Sequence, residues 1–119
     1  RRVLVVDDSA VVRDLVTDLL AAAGFEVVTA ADGAAALEEI ASAPPHVVVT
    51  DLDMPRMNGL ELLAELRARD MDLPVIVLTT RPEPEIRSRA ESLGASRFLL
   101  KSEAADSLLV DAVISAGLT

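Results

Sequence analysis

Val3-Leu4-Val5-Val6 is an unbroken apolar run, mostly β-branched, and Asp7-Asp8-Ser9 follows it at once. A short apolar run without polar alternation reads as a strand buried on both faces. Ser9 is a plausible N-cap for a helix beginning just beyond it. Val12, Leu15, Val16, Leu19, Leu20 and Ala23 then recur at i, i+3, i+4, i+7, i+8 and i+11, which places them on one helix face, and Gly24 stops the pattern. The opening of the chain is therefore strand, acidic turn, helix.

The same unit recurs along the chain. Residues 25–29 read as a second strand, and 34–40 as a helix ended by Pro44-Pro45. Val47-Val48-Val49 is a third strand and 60–68 a third helix. Residues 74–78 form a fourth strand. A weaker helix runs from about 84 to 93, where Gly94 stops it, with only Ile86, Ala90 and Leu93 on its apolar stripe. Pro82 and Pro84 bias Arg81 and Glu83 away from helical angles, so this helix starts no earlier than Pro84. Phe98-Leu99-Leu100 is a fifth strand, and a last helix carries Leu108, Leu109, Ala112 and Val113 on one side. Five apolar strands alternating with five helices predict an α/β fold. Its sheet is parallel and doubly wound, with helices on both faces and right-handed crossovers.

Composition narrows the function. The 119 residues fit one domain, and the 51% hydrophobic content excludes a disordered tail. There is no cysteine and one histidine, which excludes a disulfide scaffold, a thiolate metal site and a multi-histidine centre. Eleven basic against 20 acidic residues give a net charge of −9, which argues against nucleic acid or an anionic membrane as partner. No apolar run reaches the ~18 residues of a membrane span, and no signal peptide is visible, so a cytoplasmic location is expected. The chain begins Arg1-Arg2 and stops soon after its last helix pattern, so the expectation is a domain cut from a longer protein.

In an open parallel sheet the working site lies beyond the carboxyl ends of the strands, where strand order reverses. Asp7-Asp8 follow strand one, Asp51 and then Asp53 follow strand three, Thr79-Thr80 follow strand four and Lys101 follows strand five. Only the end of strand two offers no obvious chemical group. A lone Asp after a strand is ordinarily a cap or turn former. Three acids, a hydroxyl and a lysine at one sheet edge are poorly explained that way. Asp7, Asp8 and Asp51 bring −3 and Lys101 returns +1, leaving −2 in a small volume. A divalent cation cancels that charge, and oxygen-only ligands suit magnesium (Mg2+) or Mn2+ rather than zinc. A partly hydrated Mg2+ implies a phosphate as a further ligand. Lys101 and the Thr79 hydroxyl are then expected to hold phosphoryl oxygens, and Asp51 is left as the nucleophile that becomes an acyl phosphate.

Four stretches, in order, carry a resemblance. Val5-Val6-Asp7-Asp8-Ser9, Thr50-Asp51-Leu52-Asp53-Met54-Pro55-Arg56-Met57-Asn58-Gly59, Val77-Leu78-Thr79 and Phe98-Leu99-Leu100-Lys101 look like the receiver domain of two-component response regulators. The resemblance covers essentially the whole chain, residues 1–119, and implies a flavodoxin/CheY-like (βα)5 fold. It implies that Asp51 is the phosphoacceptor, supplied by the phosphohistidine of a histidine kinase or phosphotransfer domain. It implies that Asp8 binds Mg2+ directly, Asp7 largely through water, and Asp53 through its backbone carbonyl. Thr79 resembles the switch hydroxyl, Phe98 the aromatic switch residue and Lys101 the phosphate-binding amine. Side chains two beyond the phosphoacceptor and two beyond the switch hydroxyl flank the phosphoryl group in this family. Here they are Asp53 and Arg81, expected to pair and to tune the lifetime of the phosphoryl group. A downstream protein is expected to bind near residues 84–113.

The run from Val49 to Gly59 and Lys101-Ser102 look especially like receivers fused to CheA-type chemosensory histidine kinases, since most receivers have Lys-Pro at that place. A serine there predicts a trans Lys101–Ser102 peptide, because a non-proline cis bond costs ~2.5–4 kcal/mol. A stand-alone CheY-like regulator and a degenerate receiver that only binds partners are the alternative readings, and the complete acid–Thr–Lys set argues against the second. Asp51-Leu52-Asp53 also has the Asp-x-Asp spacing of haloacid-dehalogenase-type phosphatases. That motif follows the first strand of a larger core, and this chain has no room for a cap domain. As an isolated domain, only self-phosphorylation and self-dephosphorylation chemistry is expected. Met54 and Met57 are expected to pack, His46 to lie on the surface, and the bulk of Thr80 to narrow access to the phosphoryl site.

Overall fold

The computed structural model describes residues 1–81, 83–102 and 106–117. Along the chain the elements are β1 (Arg2–Val6), α1 (Ala10–Ala22), β2 (Glu26–Ala30), α2 (Gly33–Ser42), β3 (Val47–Thr50), α3 (Gly59–Ala68), β4 (Val75–Thr79), α4 (Pro84–Ser92), β5 (Arg97–Leu100) and α5 (Asp106–Gly117). Every strand pair is parallel, and the order across the sheet is β2-β1-β3-β4-β5. This is the order of flavodoxin-like doubly wound sheets, and it reverses between β1 and β3.

The apolar runs are explained by a core on each face of the sheet. Side chains alternate faces along a strand. Val3, Val5, Val47, Val49, Ile76 and Leu78 point to one side, where Val16 and Leu20 of α1 and Leu109, Ala112 and Val113 of α5 cover them. Leu4, Val6, Val48 and Val75 point to the other, against Ala36 and Ile40 of α2 and Leu62, Leu63 and Leu66 of α3. Leu52, Val77, Ala90 and Phe98 make a third cluster under α4. The three inner strands are buried almost throughout. The edge strands are not: Glu26 and Thr29 of β2 and Arg97 of β5 are exposed.

The α1 face is narrower than its sequence period. Val16 and Leu20 are buried, whereas Leu15 is 65% exposed and Ala23 lies at the exposed C-cap. Successive residues turn by about 100°, so Leu15 sits at the flank of the stripe centred on Val16, beyond the reach of the sheet. Val11 beside it is 69% exposed. Caps fix the helix starts. The Ser9 hydroxyl accepts the Val12 N–H at 3.3 Å. Asn58 and Glu61 form a reciprocal capping box that starts α3 one residue before the apolar pattern does. No cis peptide occurs among the described residues, so the Lys101–Ser102 bond is trans as expected.

Gly59 sets how closely α3 approaches the end of β3. A Cβ there would overlap the Asp51 carbonyl oxygen, and the Gly59 N–H donates to the Leu52 carbonyl at 3.0 Å. Gly59→Ala should therefore destabilise the fold by about 1–3 kcal/mol, the usual range for overpacking, read as a lower urea midpoint at unchanged m-value. Helix α4 is the opposite case. It begins at Pro84, its N-cap Glu83 makes no side-chain cap bond, and only Ala90 is buried. Its amides should exchange faster than those of α1, since little burial means a low opening free energy.

Candidate functional site

The order reversal puts the ends of β1 and β3 side by side, and their acids with them. The Asp51 N–H donates to the Val6 carbonyl at 2.9 Å, and the Asp7 N–H donates to the Ala30 carbonyl at 3.1 Å. Carboxylate oxygens of Asp7, Asp8 and Asp51 lie within 4.8 Å of one another. Asp7 and Asp51 are buried at 3% and 7% exposure, and Asp8 is open to solvent.

Lys101 reaches in from the end of β5, its own N–H held by the Thr79 carbonyl at 2.7 Å. Its ammonium donates to Asp7 Oδ2 at 2.9 Å and stands 3.6 Å from Asp51 Oδ2. The closer partner is thus Asp7 rather than Asp51. Asp7 Oδ1 accepts the Ser9 N–H at 2.9 Å, and the Asp7 carbonyl accepts from the Arg13 guanidinium at 2.6 Å. Asp51 Oδ1 accepts the Leu52 N–H at 2.8 Å.

Burial pushes the Asp51 carboxyl above the ordinary value of 3.8, and the Asp7 and Asp53 charges add to this, against the opposing pull of Lys101 and of the Leu52 N–H. Partial burial works against the Lys101 ammonium. The Asp7 hydrogen bond and the charges of Asp51 and Asp7 outweigh it and lift the lysine above its ordinary value. The set is an oxygen-only pocket of three carboxylates facing one ammonium. Its chemistry fits a hard divalent cation such as Mg2+ or Mn2+ and offers none of the sulfur or imidazole ligands that softer metals prefer.

The remaining expected residues surround this centre. The Thr79 side chain is fully buried, and its hydroxyl oxygen accepts the Arg81 N–H at 3.1 Å. Arg81 in turn donates to Asp53 Oδ1 at 3.0 Å and lies 3.5 Å from Glu83 Oε1. The expected Asp53–Arg81 pair is therefore present, with Glu83 as a third member. The hydrogen bond to Asp53 and its charge raise the Arg81 pKa further. The Asp53 carboxylate lies outside the acidic cluster. Phe98 is buried against Leu52, which follows Asp51 directly, and against Ala90 of α4. The Arg87 guanidinium sits 5.8 Å from the Phe98 ring centroid. Met54 and Met57 pack against the α2–α3 core. Thr80 is exposed. His46 is exposed as well, its Nδ1 accepting the Arg2 N–H at 3.0 Å.

The end of β2 does carry chemistry, contrary to the sequence reading. Asp32 is 3% exposed, N-caps α2 through the Ala35 N–H at 2.8 Å, and receives both Nε and Nη2 of Arg56 on Oδ2. The Ala35 N–H and then the Arg56 guanidinium hold its carboxyl below the ordinary value. An Asp-Gly just before a helical period is an N-cap signature, so the cap was open to sequence reasoning. The reach of Arg56 from the β3–α3 loop was not. Arg13 was also missed; its place one turn into α1 carries no local signal of a contact with the Asp7 backbone.

The response regulator receiver domain family matches residues 3–113. Response regulator MprA of Mycolicibacterium vanbaalenii is 43% identical over 108 residues, 91% of this chain and 47% of that protein. MprA of Mycobacterium ulcerans matches to the same extent. The chain spans about half the length of these curated relatives. Among solved structures, the signal receiver domain of the putative response regulator NarL from Mycobacterium tuberculosis superposes with a TM-score of 0.92 at 36% identity, covering 98% of this chain and 95% of that one. Chemotaxis protein CheY4 of Vibrio cholerae gives a TM-score of 0.89 at 34% identity, with 97% of each chain covered. Among the described residues, no helix is long and apolar enough to cross a membrane.

Proposed function

The chain belongs to the response regulator receiver domains, and from that premise we propose that Asp51 is a phosphoacceptor charged by the phosphohistidine of a kinase or phosphotransfer domain. The observation that carries this reading is the convergence of Asp7, Asp8 and Asp51 within 4.8 Å, beneath a single ammonium from Lys101. A carboxylate oxygen of Asp51 attacks phosphorus, the bond from phosphorus to the imidazole nitrogen breaks, and its electron pair returns to the ring. Asp8 and Asp51 would hold Mg2+ through their carboxylates, with Asp7 acting through water and Asp53 through its backbone carbonyl, as the family resemblance implies. When bound, the cation neutralises charge on the transferring phosphoryl group. Lys101 and Thr79 bind phosphoryl oxygens.

The switch is written in one hydrogen bond. The Thr79 hydroxyl now accepts the Arg81 N–H. Turning toward a phosphoryl oxygen withdraws it from that N–H and loosens the turn that leads into α4. Phe98 packs on both Leu52 and Ala90, so a shift at the Asp51 end of β3 reaches the same helix. The readout surface is the α4–β5–α5 side, and α4 is poorly anchored. The exposed apolar pair Val11 and Leu15, within two turns of Asp8, supports α1 as the docking edge for the phosphodonor.

Incubation with acetyl phosphate tests the reading. The expected result is Mg2+-dependent labelling that an acyl-phosphate-cleaving base removes. No labelling, together with no response to beryllofluoride, would favour a receiver that acts by binding alone. Turnover of an unrelated phosphate ester would favour a phosphatase.

Two parent contexts fit the domain. The regulators named above favour a regulator about twice this length, while Lys101-Ser102 carries the likeness to receivers fused to chemosensory kinases. The full-length gene separates them by whether a kinase module accompanies the domain.

Asp53 and Arg81 tune the phosphoryl lifetime. Arg81 donates to Asp53 at 3.0 Å, two residues beyond Asp51, and the pair is expected to cover part of the path of attacking water. Arg81→Ala should speed loss of phosphate several-fold, and Asp53→Asn should change the rate too. Their effects should not add, because they share one interaction. Strictly additive rates in a double-mutant cycle would contradict the pair.

A further inference from the structure

Asp32 and Arg56 do nothing in the reading above, yet both are held in specific settings. Arg56 has φ +65°, the left-handed region that a residue with a Cβ seldom adopts. Asp32 is a buried acid with each carboxylate oxygen engaged, one by the helix cap and one by the guanidinium. Solvent covers most of the Arg56 side chain, 70% exposed, so its contribution to global stability is modest. What the pair joins is more telling than what it buries.

Arg56 belongs to the loop that leaves β3 after Asp51, contains Asp53 and ends at the Asn58 cap of α3. That loop has few internal anchors: Gly59 N–H to the Leu52 carbonyl, and Met57 N–H to the Pro55 carbonyl at 2.7 Å. Its outer side is held by the start of α2. The Gly33 N–H donates to the Met57 carbonyl at 3.1 Å, and a Cβ on Gly33 would come within 2.7 to 2.9 Å of Met57 atoms. The adjacent Asp32 takes Arg56. The end of β2 also accepts the Asp7 N–H through Ala30. One short segment, residues 30–33, thus touches the backbone of Asp7 and, at Met57 and Arg56, the loop that follows Asp51.

We propose that the Asp32–Arg56 pair is a clamp that positions the β3–α3 loop, and Asp53 with it, for divalent-cation binding by the acidic cluster, although neither residue is a ligand. The inference rests on the proposed cation site. Outer partners that orient ligands commonly change metal affinity by about 10–100-fold when lost. This clamp acts on the loop backbone rather than on a ligand atom, so the lower end of that range is expected.

The test is calorimetric titration of the 119-residue chain with Mg2+ alone, with thermal melts run in parallel. Arg56→Ala and Asp32→Asn should each weaken Mg2+ binding about tenfold, and the double variant no more than either single one. Arg56→Lys, which keeps charge but loses the fork, should fall between. Asp8→Asn, which removes a ligand, should abolish measurable binding. Variants that melt lower yet bind Mg2+ like the parent would overturn the clamp and leave Asp32 as a helix cap. If Asp8→Asn also binds like the parent, the cation site itself is misassigned, and the clamp falls with it.

Discussion

Replacing Asp51 by asparagine should abolish labelling by phosphodonors and at the same time raise the thermal midpoint at neutral pH. The first effect follows from chemistry: an amide oxygen is too poor a nucleophile to take the phosphoryl group. The second follows from the environment. Burial, seconded by the charges of Asp7 and Asp53, lifts the Asp51 carboxyl above its ordinary 3.8 despite Lys101. Between the unfolded value and the raised folded one, the native state holds more protons than the unfolded state. Stability therefore falls as pH rises through that window. Above it, the ionised carboxylate is a net burden on the fold, and a neutral isostere relieves it. The amide of the substituted side chain retains an oxygen for the Leu52 N–H that Asp51 now accepts. Each kcal/mol relieved moves the midpoint of a domain this size by roughly 3–6 °C. The advantage of Asp51→Asn should shrink in acid, as the parent protonates Asp51. A variant that melts lower than the parent at pH 7 in chelator would contradict the argument.

The uneven legibility of this site has a physical cause. Asp7, Asp51, Thr79 and Lys101 all lie at the end of an apolar run, so locating the strands located the site. Parallel topology then brought the strand ends together without any further information. Asp53–Arg81 was legible because family spacing names both positions. Asp32 escaped because Ala31 separates it from β2, and because β2 is an edge strand with a mixed pattern. Arg56 escaped because its partner lies 24 residues away across two loops, a contact no local period encodes. Leu15 was misjudged for a related reason. Periodicity tells which residues share a helix face, while the width of the sheet decides how much of that face is covered.

Lys101→Met should destabilise the cation-free protein and make it unusually responsive to Mg2+. Methionine keeps most of the aliphatic volume, so packing changes little. What is lost is the ammonium 2.9 Å from Asp7 and 3.6 Å from Asp51. Removing one partner of a fully buried pair costs about 3–5 kcal/mol. The Lys101 side chain is 21% exposed, so a loss of roughly 2–3 kcal/mol is the better expectation. Lys101 is also the largest influence lowering the Asp51 pKa. Without it, Asp51 is lifted further, and the variant should regain stability as pH falls and that carboxyl protonates. Mg2+ should act in the same direction at neutral pH. The cation and the ammonium neutralise the same carboxylates, so deleting the ammonium should tighten Mg2+ binding. A ligand at ten times its Kd adds about 1.4 kcal/mol of stability. At a fixed Mg2+ concentration the variant should therefore gain more than the parent, and the gap between them should narrow. Phosphoryl acceptance should nonetheless stay poor, because a cation on the carboxylates does not replace the lysine on the phosphoryl oxygens. Melting curves with chelator and with Mg2+ separate these effects. A variant as stable as the parent in chelator, or one that gains no more from Mg2+, would mean that Lys101 does not hold the charge balance of the cluster.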